Sequence, residues 1–471
     1  MQPTSLSHGK RILLTAVIAL SAASPLSARE FHVATMGDDT KPGSAKAPFA
    51  TLQRAEKAAN PGDTVFIHGG IYKMAESQIN HARRGRANVI FLSKSGTSGK
   101  PIRYAAFGNE KPVFDFSEVK PRDLRVTAFH ITGSWLHLKG LAVTGVQVTI
   151  TGHTQSICFE NLGDRNIYEQ LEMHDGQAIG FWLGRGSNNL VLNCDAYRNY
   201  DYTSENGRGG NVDGFGFHAP KGSTGNIFRG CRAWFNSDDG FDLISTDEAI
   251  LIENCWAFYN GFDPSFKRIA DGNGFKLGGY GVSGGPYPDV IPRHEIRGSL
   301  AVRNRASGFY ANHQPGGINF FNNTAYLNTV NFNLLGRNAE HTADVPGYGH
   351  ELKNNLGYKG RTEVSNLDAA KCEIVANSFD LKMKLEDRDF KSLDQADLVL
   401  PRKPNGDLPE ISFMKLKVGN PAIDKGVDVG LPFKGKAPDL GAFEYGAEKQ
   451  TTVGSDRLQG AAISESPKPL N

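Results

Sequence analysis

Asp213-Gly214-Phe215, Ser237-Asp238-Asp239-Gly240-Phe241-Asp242 and Asn273-Gly274-Phe275-Lys276 repeat one Gly-Phe element three times in a single stretch of chain. Carboxylates or an amine accompany it at fixed offsets. If the three elements are equivalent strands of a coiled repeat, Asp213, Asp239 and Asn273 stack just before Gly-Phe, and Asp242 and Lys276 stack just after it. Adjacent parallel strands lie roughly 4.8 Å apart. Asp213, Asp238, Asp239, Asp242 and Lys276 then meet on one face.

A second repeat surrounds the first. Cys194-Asp195-Ala196-Tyr197-Arg198-Asn199, Cys231-Arg232-Ala233-Trp234-Phe235-Asn236, Cys255-Trp256-Ala257-Phe258-Tyr259-Asn260, Ser299-Leu300-Ala301-Val302-Arg303-Asn304 and Asn323-Thr324-Ala325-Tyr326-Leu327-Asn328 share a central Ala and a final Asn. The shortest spacing, 24 residues from Cys231 to Cys255 and again from Ser299 to Asn323, is the size of one turn of a parallel β-helix. The Leu pattern of a leucine-rich repeat is absent, and a hairpin-rich sandwich would not keep this register over five units. The fold class is therefore all-β, a parallel β-helix. Its Ala column suits close packing of layers, and its Asn residues suit tight turns with left-handed geometry.

Unequal spacings place loops at residues 200–211 and 261–271, each directly before a Gly-Phe strand, and a third insertion at 278–292 follows Lys276. Long loops therefore rim the charged cluster, as insertions in solenoids often rim the functional face. Upstream, Thr51 caps an expected short helix carrying Leu52, Ala55, Ala58 and Ala59, which plugs the open end of the solenoid. Downstream, residues 387–398 are expected to form a short helix and residues 420–444 an end cap.

The 471 residues include 54 Gly, which favours a turn-rich β architecture. Net charge is +2, and two of the basic residues, Lys10 and Arg11, belong to the leader. The near-neutral remainder lacks the basic footprint of a nucleic-acid binder. Lys10-Arg11, the apolar run 12–23 and the small residues ending at Ser27-Ala28 read as a secretory signal over residues 1–28, too short to be a membrane anchor. The mature domain is expected over residues 29–447, with a polar, disordered tail at 448–471. Five Cys is an odd number, so at least one thiol stays unpaired. Cys194, Cys231 and Cys255 share one repeat position and read as buried core thiols, and no Cys/His spacing suits zinc.

Converging carboxylates are costly unless a cation joins them, and calcium takes six to eight or so oxygen ligands in flexible geometry. An isolated Asp before Gly is more often a solvated turn residue; four in register favour a metal. Lys276 beside them is either a salt-bridge partner or, with a cation present to lower its pKa, a base.

These motifs, the opening cap and the repeat together resemble the family-nine polysaccharide lyases, best known as pectate lyases, over roughly residues 30–445. The resemblance implies a right-handed parallel β-helix, calcium held by Asp238, Asp239, Asp242 and Asp213, and Lys276 as the Brønsted base of a β-elimination on a uronate polymer. The expected partner is an acidic plant cell-wall polysaccharide, polygalacturonate first and rhamnogalacturonan second, met by a secreted monomer without a membrane span. Lys267, Arg268, Arg303, Arg305 and His313 are candidates for gripping neighbouring uronates, with ordinary surface charge as the alternative for each. Two rivals remain: a pectin hydrolase using Asp213 and Asp239 as acid and base, and a non-catalytic glycan-binding β-helix. A hydrolase has no use for Lys276 and leaves Asp238 and Asp242 without a role.

Overall fold

Residue 1 and residues 28–279, 290–338, 340 and 342–447 are described by a computed structural model. The expected leader, apart from Met1 and Ala28, the tail 448–471 and most of the third insertion lie outside the described residues. Among the described residues, three sheets of twelve, ten and eleven strands wind along one axis. Each strand pairs in parallel with its equivalent one turn away, as in Phe215↔Phe241↔Phe275↔Phe309. Among the described residues, antiparallel strand pairs are His81–Arg83 with Arg86–Leu92 at the edge and a small hairpin of Leu335–Arg337 with Asp344–Pro346, beside isolated antiparallel bridges such as Phe262↔Arg268. No helix among the described residues is long and apolar enough to cross a membrane.

The opening cap forms as its sequence suggests. Thr51 accepts a hydrogen bond from the Arg54 N–H at the start of the helix Leu52–Ala58, and Leu52, Ala55 and Ala59 are buried against the first turns. Buried Glu56 adds a tie, its Oε1 accepting from Ser93 N, Ser93 Oγ and Lys94 N.

Side chains alternate across each strand, so in the third sheet the Phe of each Gly-Phe element points into the solenoid and the next residue points out. Phe215, Phe241, Phe275, Phe309 and Phe332 stack with centroids 4.8–5.2 Å apart. The Ala column of the second sheet is also in register, from Ala196 through Ala233, Ala257 and Ala301 to Ala325. Cys194, Cys231 and Cys255 are buried free thiols, and Cys158 and Cys372 are free as well.

The Asn column is corrected by the structure. The left-handed residue of each turn is the one before Asn: Arg198, Phe235, Tyr259, Arg303 and Leu327 have φ of 47–60°. The Asn side chains turn inward as a buried ladder, with Nδ2 of Asn199, Asn236, Asn260 and Asn304 donating to Oδ1 of the next Asn at 3.0–3.2 Å. The same Nδ2 groups also donate to main-chain carbonyls of the preceding turn, Asn199 to Met173, Asn236 to Ala196, Asn260 to Ala233 and Asn304 to Ala257. The same ladder explains the glycine of Gly-Phe: a Cβ on Gly240 would lie 2.8 Å from Asn260 Nδ2 and 2.6 Å from the Gly274 carbonyl. The two repeats seen in the sequence are opposite sides of one packing layer.

The C-terminal segment also departs from expectation. Residues 387–399 make two 3-10 turns, Asp387–Asp389 and Gln395–Val399. The chain then runs back along the outer face of the second sheet as a strap. Leu398, Leu408, Ile411, Phe413, Leu416, Leu440 and Phe443 cover Trp256, Phe258, Leu300, Val302 and Leu356. Residues 420–444 lie on this flank, where Ala442 N donates to Thr324 Oγ1 and Gly441 N to the Asn354 carbonyl. Phe379 packs on Phe332 at the last turn of the core, centroids 5.6 Å apart.

Candidate active site

The residues before Gly-Phe form a hydrogen-bonded column. Asp213 Oδ1 accepts from Asp239 N at 3.1 Å, Asp239 Oδ1 from Asn273 N at 2.7 Å, and Asn273 Oδ1 from Ser307 N at 3.1 Å. The residues after Gly-Phe form a second column, pairing Gly216↔Asp242↔Lys276↔Tyr310 across the strands. The two columns converge. One carboxylate oxygen from each of Asp213, Asp239 and Asp242 lies within 4.8 Å of the others, and Asp238 stands beside them.

All four Asp are buried, Asp239 completely. Lys276 Nζ lies 3.0 Å from Asp239 Oδ2 and 3.3 Å from Asp242 Oδ2, with 17% of its side chain exposed. Asp238 Oδ1 and Asp239 Oδ2 are buried without a hydrogen-bond donor; the approach of Lys276 to Asp239 is an ion pair outside hydrogen-bond geometry. Burial, helped by the neighbouring carboxylates, pushes Asp213 and Asp238 well above the usual carboxylate range. Burial raises Asp239 too, with Lys276 pulling against it. Burial works to lower the pKa of Lys276, but Asp239, Asp242, Asp238 and Asp213 outweigh it and hold the ammonium charged. Four carboxylates against one amine leave the site short of positive charge, with acceptor oxygens turned inward and unused. That donor set fits a hard divalent cation such as calcium.

The proposed sugar-gripping residues have mixed placements. Lys267 and Arg268 are exposed on the loop before Asn273. Arg305 braces that loop, Nη1 donating to the carbonyls of Ala270 at 2.5 Å and Asp271 at 3.4 Å. Arg303 is not brought into the cluster: its guanidinium lies 4.0 Å over the ring of Phe266, which packs on the second-sheet flank. His313 Nε2 pairs with Asp344 Oδ1 at 3.1 Å, and its ring lies 6.4 Å from that of Tyr310.

The reading from sequence missed the two ends of the outward column. Gly180-Phe181-Trp182 and Gly308-Phe309-Tyr310 are further copies of the Gly-Phe element, with Phe181↔Phe215 and Trp182↔Gly216 in register. They carry no charge after Phe, so the charged offsets do not mark them. His218, two residues beyond Gly216, stacks on Trp182 with centroids 4.1 Å apart.

A family model described as Pel9A-like, right handed beta helix region matches residues 31–355, and one described as rhamnogalacturonan lyase-like, C-terminal, matches residues 368–453. Pectate lyase L of Dickeya chrysanthemi is 35% identical over 447 residues, covering 91% of this chain and 95% of that protein. Pectate lyase PEL9 of Emericella nidulans is 29% identical over 410 residues, covering 82% and 92%. Among solved structures, a rhamnogalacturonan lyase is 47% identical over 83% of this chain and 97% of its own, with a TM-score of 0.80. Pectate lyase Pel9A is 33% identical over 89% and 97%, with a TM-score of 0.71.

Proposed function

The chain belongs to the family-nine polysaccharide lyases of the Pel9A-like β-helix type, and from that premise we propose that it cleaves a uronate-containing pectic backbone by β-elimination at Lys276. The observation that carries the reading is a lysine amine 3.0 and 3.3 Å from two of four buried carboxylates, on the outward face of the third sheet.

Asp213, Asp238, Asp239 and Asp242 would hold calcium. Bound there, the ion supplies the missing positive charge and a Lewis-acid partner for a uronate carboxylate. Lys276 Nζ takes the proton from C5, α to that carboxylate. The electron pair forms the C4–C5 double bond, the C4–oxygen bond breaks, and the leaving oxygen takes a proton from water. A base must be neutral to accept a proton. Lys276 qualifies once its attraction to the four carboxylates is taken over by another cation. Pairing Asp213 and Asp239 as hydrolytic acid and base leaves Asp242 in the same oxygen cluster, Asp238 beside it and Lys276 against Asp239 without a role.

Rhamnogalacturonan is the favoured substrate over polygalacturonate. The support is the 47% identity to a rhamnogalacturonan lyase and the C-terminal match at 368–453. Such a polymer does not cross a cell envelope, so export of the chain belongs to this reading. The test is ultraviolet absorbance of the new double bond on each polymer, with calcium and with a chelator. A calcium-dependent rise on rhamnogalacturonan, larger than on polygalacturonate, is expected. Reducing ends without absorbance would overturn elimination, and a rise on polygalacturonate alone would reverse the substrate choice.

A further inference from the structure

The outward column of the third sheet runs Glu160, Trp182, Gly216, Asp242, Lys276, Tyr310 in unbroken register. The charged centre is thus bounded along the sheet by aromatic rings. Gly216 leaves room that the indole fills: a Cβ there would lie 3.0 Å from Trp182 Cε3 and 3.5 Å from His218 Cδ2. Gly184 leaves the same kind of room on the other side, where a Cβ would lie 2.8 Å from Trp182 Nε1. His218 holds the indole at 4.1 Å with the rings 16° from parallel. Trp182 is therefore a half-buried ring, fixed by packing with one face against His218 and two strands from Asp242 on the face that carries Lys276.

We infer that Trp182, seated over Gly216 and held by His218, is the platform for a neutral sugar bound toward the N-terminal turns from the cleaved uronate, and so selects an alternating uronate–neutral polymer over an all-uronate one. This rests on the elimination at Lys276 proposed above. The face of an aromatic ring is the negative part of its quadrupole, so it attracts C–H and methyl groups and repels a carboxylate. A sugar two to three strands from Lys276 toward the N-terminus, roughly 10–14 Å along the sheet, meets this ring, with no Lys or Arg in the outward column from Trp182 to Asp242. Beyond it comes Glu160, a carboxylate already engaged by Arg86 at 2.8 Å and His130 at 2.6 Å. On the other side of Lys276 stands Tyr310. Arg303, Arg305 and His313, which could have answered a run of uronates, are engaged by Phe266, the carbonyls of Ala270 and Asp271, and Asp344. Along this column a chain carrying a carboxylate on every sugar finds one cationic residue, Lys276, with Lys267 and Arg268 set apart on the exposed loop before Asn273; an alternating chain finds a centre flanked by rings.

The experiment compares initial rates on rhamnogalacturonan and on polygalacturonate for the full-length wild type, Trp182→Ala, Trp182→Phe and Gly216→Ala. Trp182→Ala is expected to raise KM for rhamnogalacturonan roughly tenfold, with kcat and the KM for polygalacturonate changed less than about twofold, the pattern of lost binding rather than lost chemistry. Trp182→Phe recovers most of the loss. Gly216→Ala keeps the indole but displaces it, and falls between. An unchanged KM, an equal rise on both polymers, or a fall in kcat alone would overturn the inference. If the wild type is inactive on rhamnogalacturonan, the proposed substrate fails, and binding decides the platform separately. Rhamnogalacturonan oligosaccharides are titrated into Lys276→Ala and into Lys276→Ala with Trp182→Ala. Weaker binding by the double variant upholds the platform; equal or absent binding in both ends it.

Discussion

Two buried clusters of opposite design sit on different faces of the solenoid. On the second-sheet flank, Asp195 is gripped by Arg232 at 2.7 Å and Arg402 at 2.6 Å, and both guanidiniums also donate to carbonyls of the strap and the adjoining turns. Burial alone would raise the pKa of Asp195, but Arg402 and Arg232 outweigh it and hold the carboxyl below its ordinary range. On the third-sheet face, four Asp share one Lys, and Asp213, Asp238 and Asp239 are pushed up. Equal burial thus gives opposite shifts, and the balance of partners decides which. A buried charge whose partners are all within the fold fastens the fold. One left short of partners is held ready for something that arrives from outside.

The sharpest way to break this contrast is Lys276→Ala. Removing a general base costs about 10²- to 10⁴-fold in rate, so absorbance-monitored turnover should collapse while thermal unfolding stays cooperative. Retained turnover would make Lys276 a salt-bridge residue like Arg402. The mirror experiment is Arg402→Met. Breaking a buried pair costs roughly 3–5 kcal/mol, and because Arg232 remains, the loss in denaturant unfolding should sit at the low end of that range. Specific activity of the folded fraction should be unchanged. Next in size is calcium itself. At a hundredfold excess over its Kd a ligand stabilises the folded state by about 2.7 kcal/mol, so calcium should raise the Tm of the wild type. Asp239→Asn should largely abolish that rise while tolerating the chelator better, since it removes a buried negative charge.

The smallest effect concerns the strap. Burial, helped by the Asp439 charge and opposed by a hydrogen bond from the Asp439 N–H, raises Glu444 to about 7. A carboxyl whose folded pKa lies above its unfolded value contributes stability that is fully present below about 4.5 and lost as pH rises through about 7. Unfolding measured from pH 5 to pH 8 should therefore show a downward slope with rising pH that Glu444→Gln flattens. Asp195 works in the opposite sense: its stabilisation is present above the ordinary carboxylate pKa and fades only as pH falls below it. An unaltered slope in Glu444→Gln would assign the pH dependence elsewhere.

Much of the site was legible in the chain, and for a local reason. Alternation along a strand decides which residue faces out, and the Gly-Phe element marks the register. Asp213 over Asp239 over Asn273, and Asp242 beside Lys276, could therefore be stacked without coordinates. The same rule applied to Gly180-Phe181 would have found Trp182. The Asn column was recognised as a repeat but read as turn chemistry, because a turn and a ladder both favour Asn at a corner. Only the backbone angles separate them, and they assign the left-handed position to Arg198, Phe235, Tyr259, Arg303 and Leu327.

What the sequence determined by itself was periodic: the β-helical repeat, the opening cap at Thr51, the buried thiol column and the meeting of four Asp with Lys276. What only the tertiary structure decided was how distant segments share surfaces. It sent residues 398–443 back along the second sheet, placed Arg402 on Asp195 more than two hundred residues away, stacked Arg303 on Phe266 and laid Trp182 into the space left by Gly216. Periodic features are local interactions repeated at each turn, so every copy in the sequence testifies to them. The others occur once, and depend on complementary shape and charge between pieces of chain that no local pattern connects.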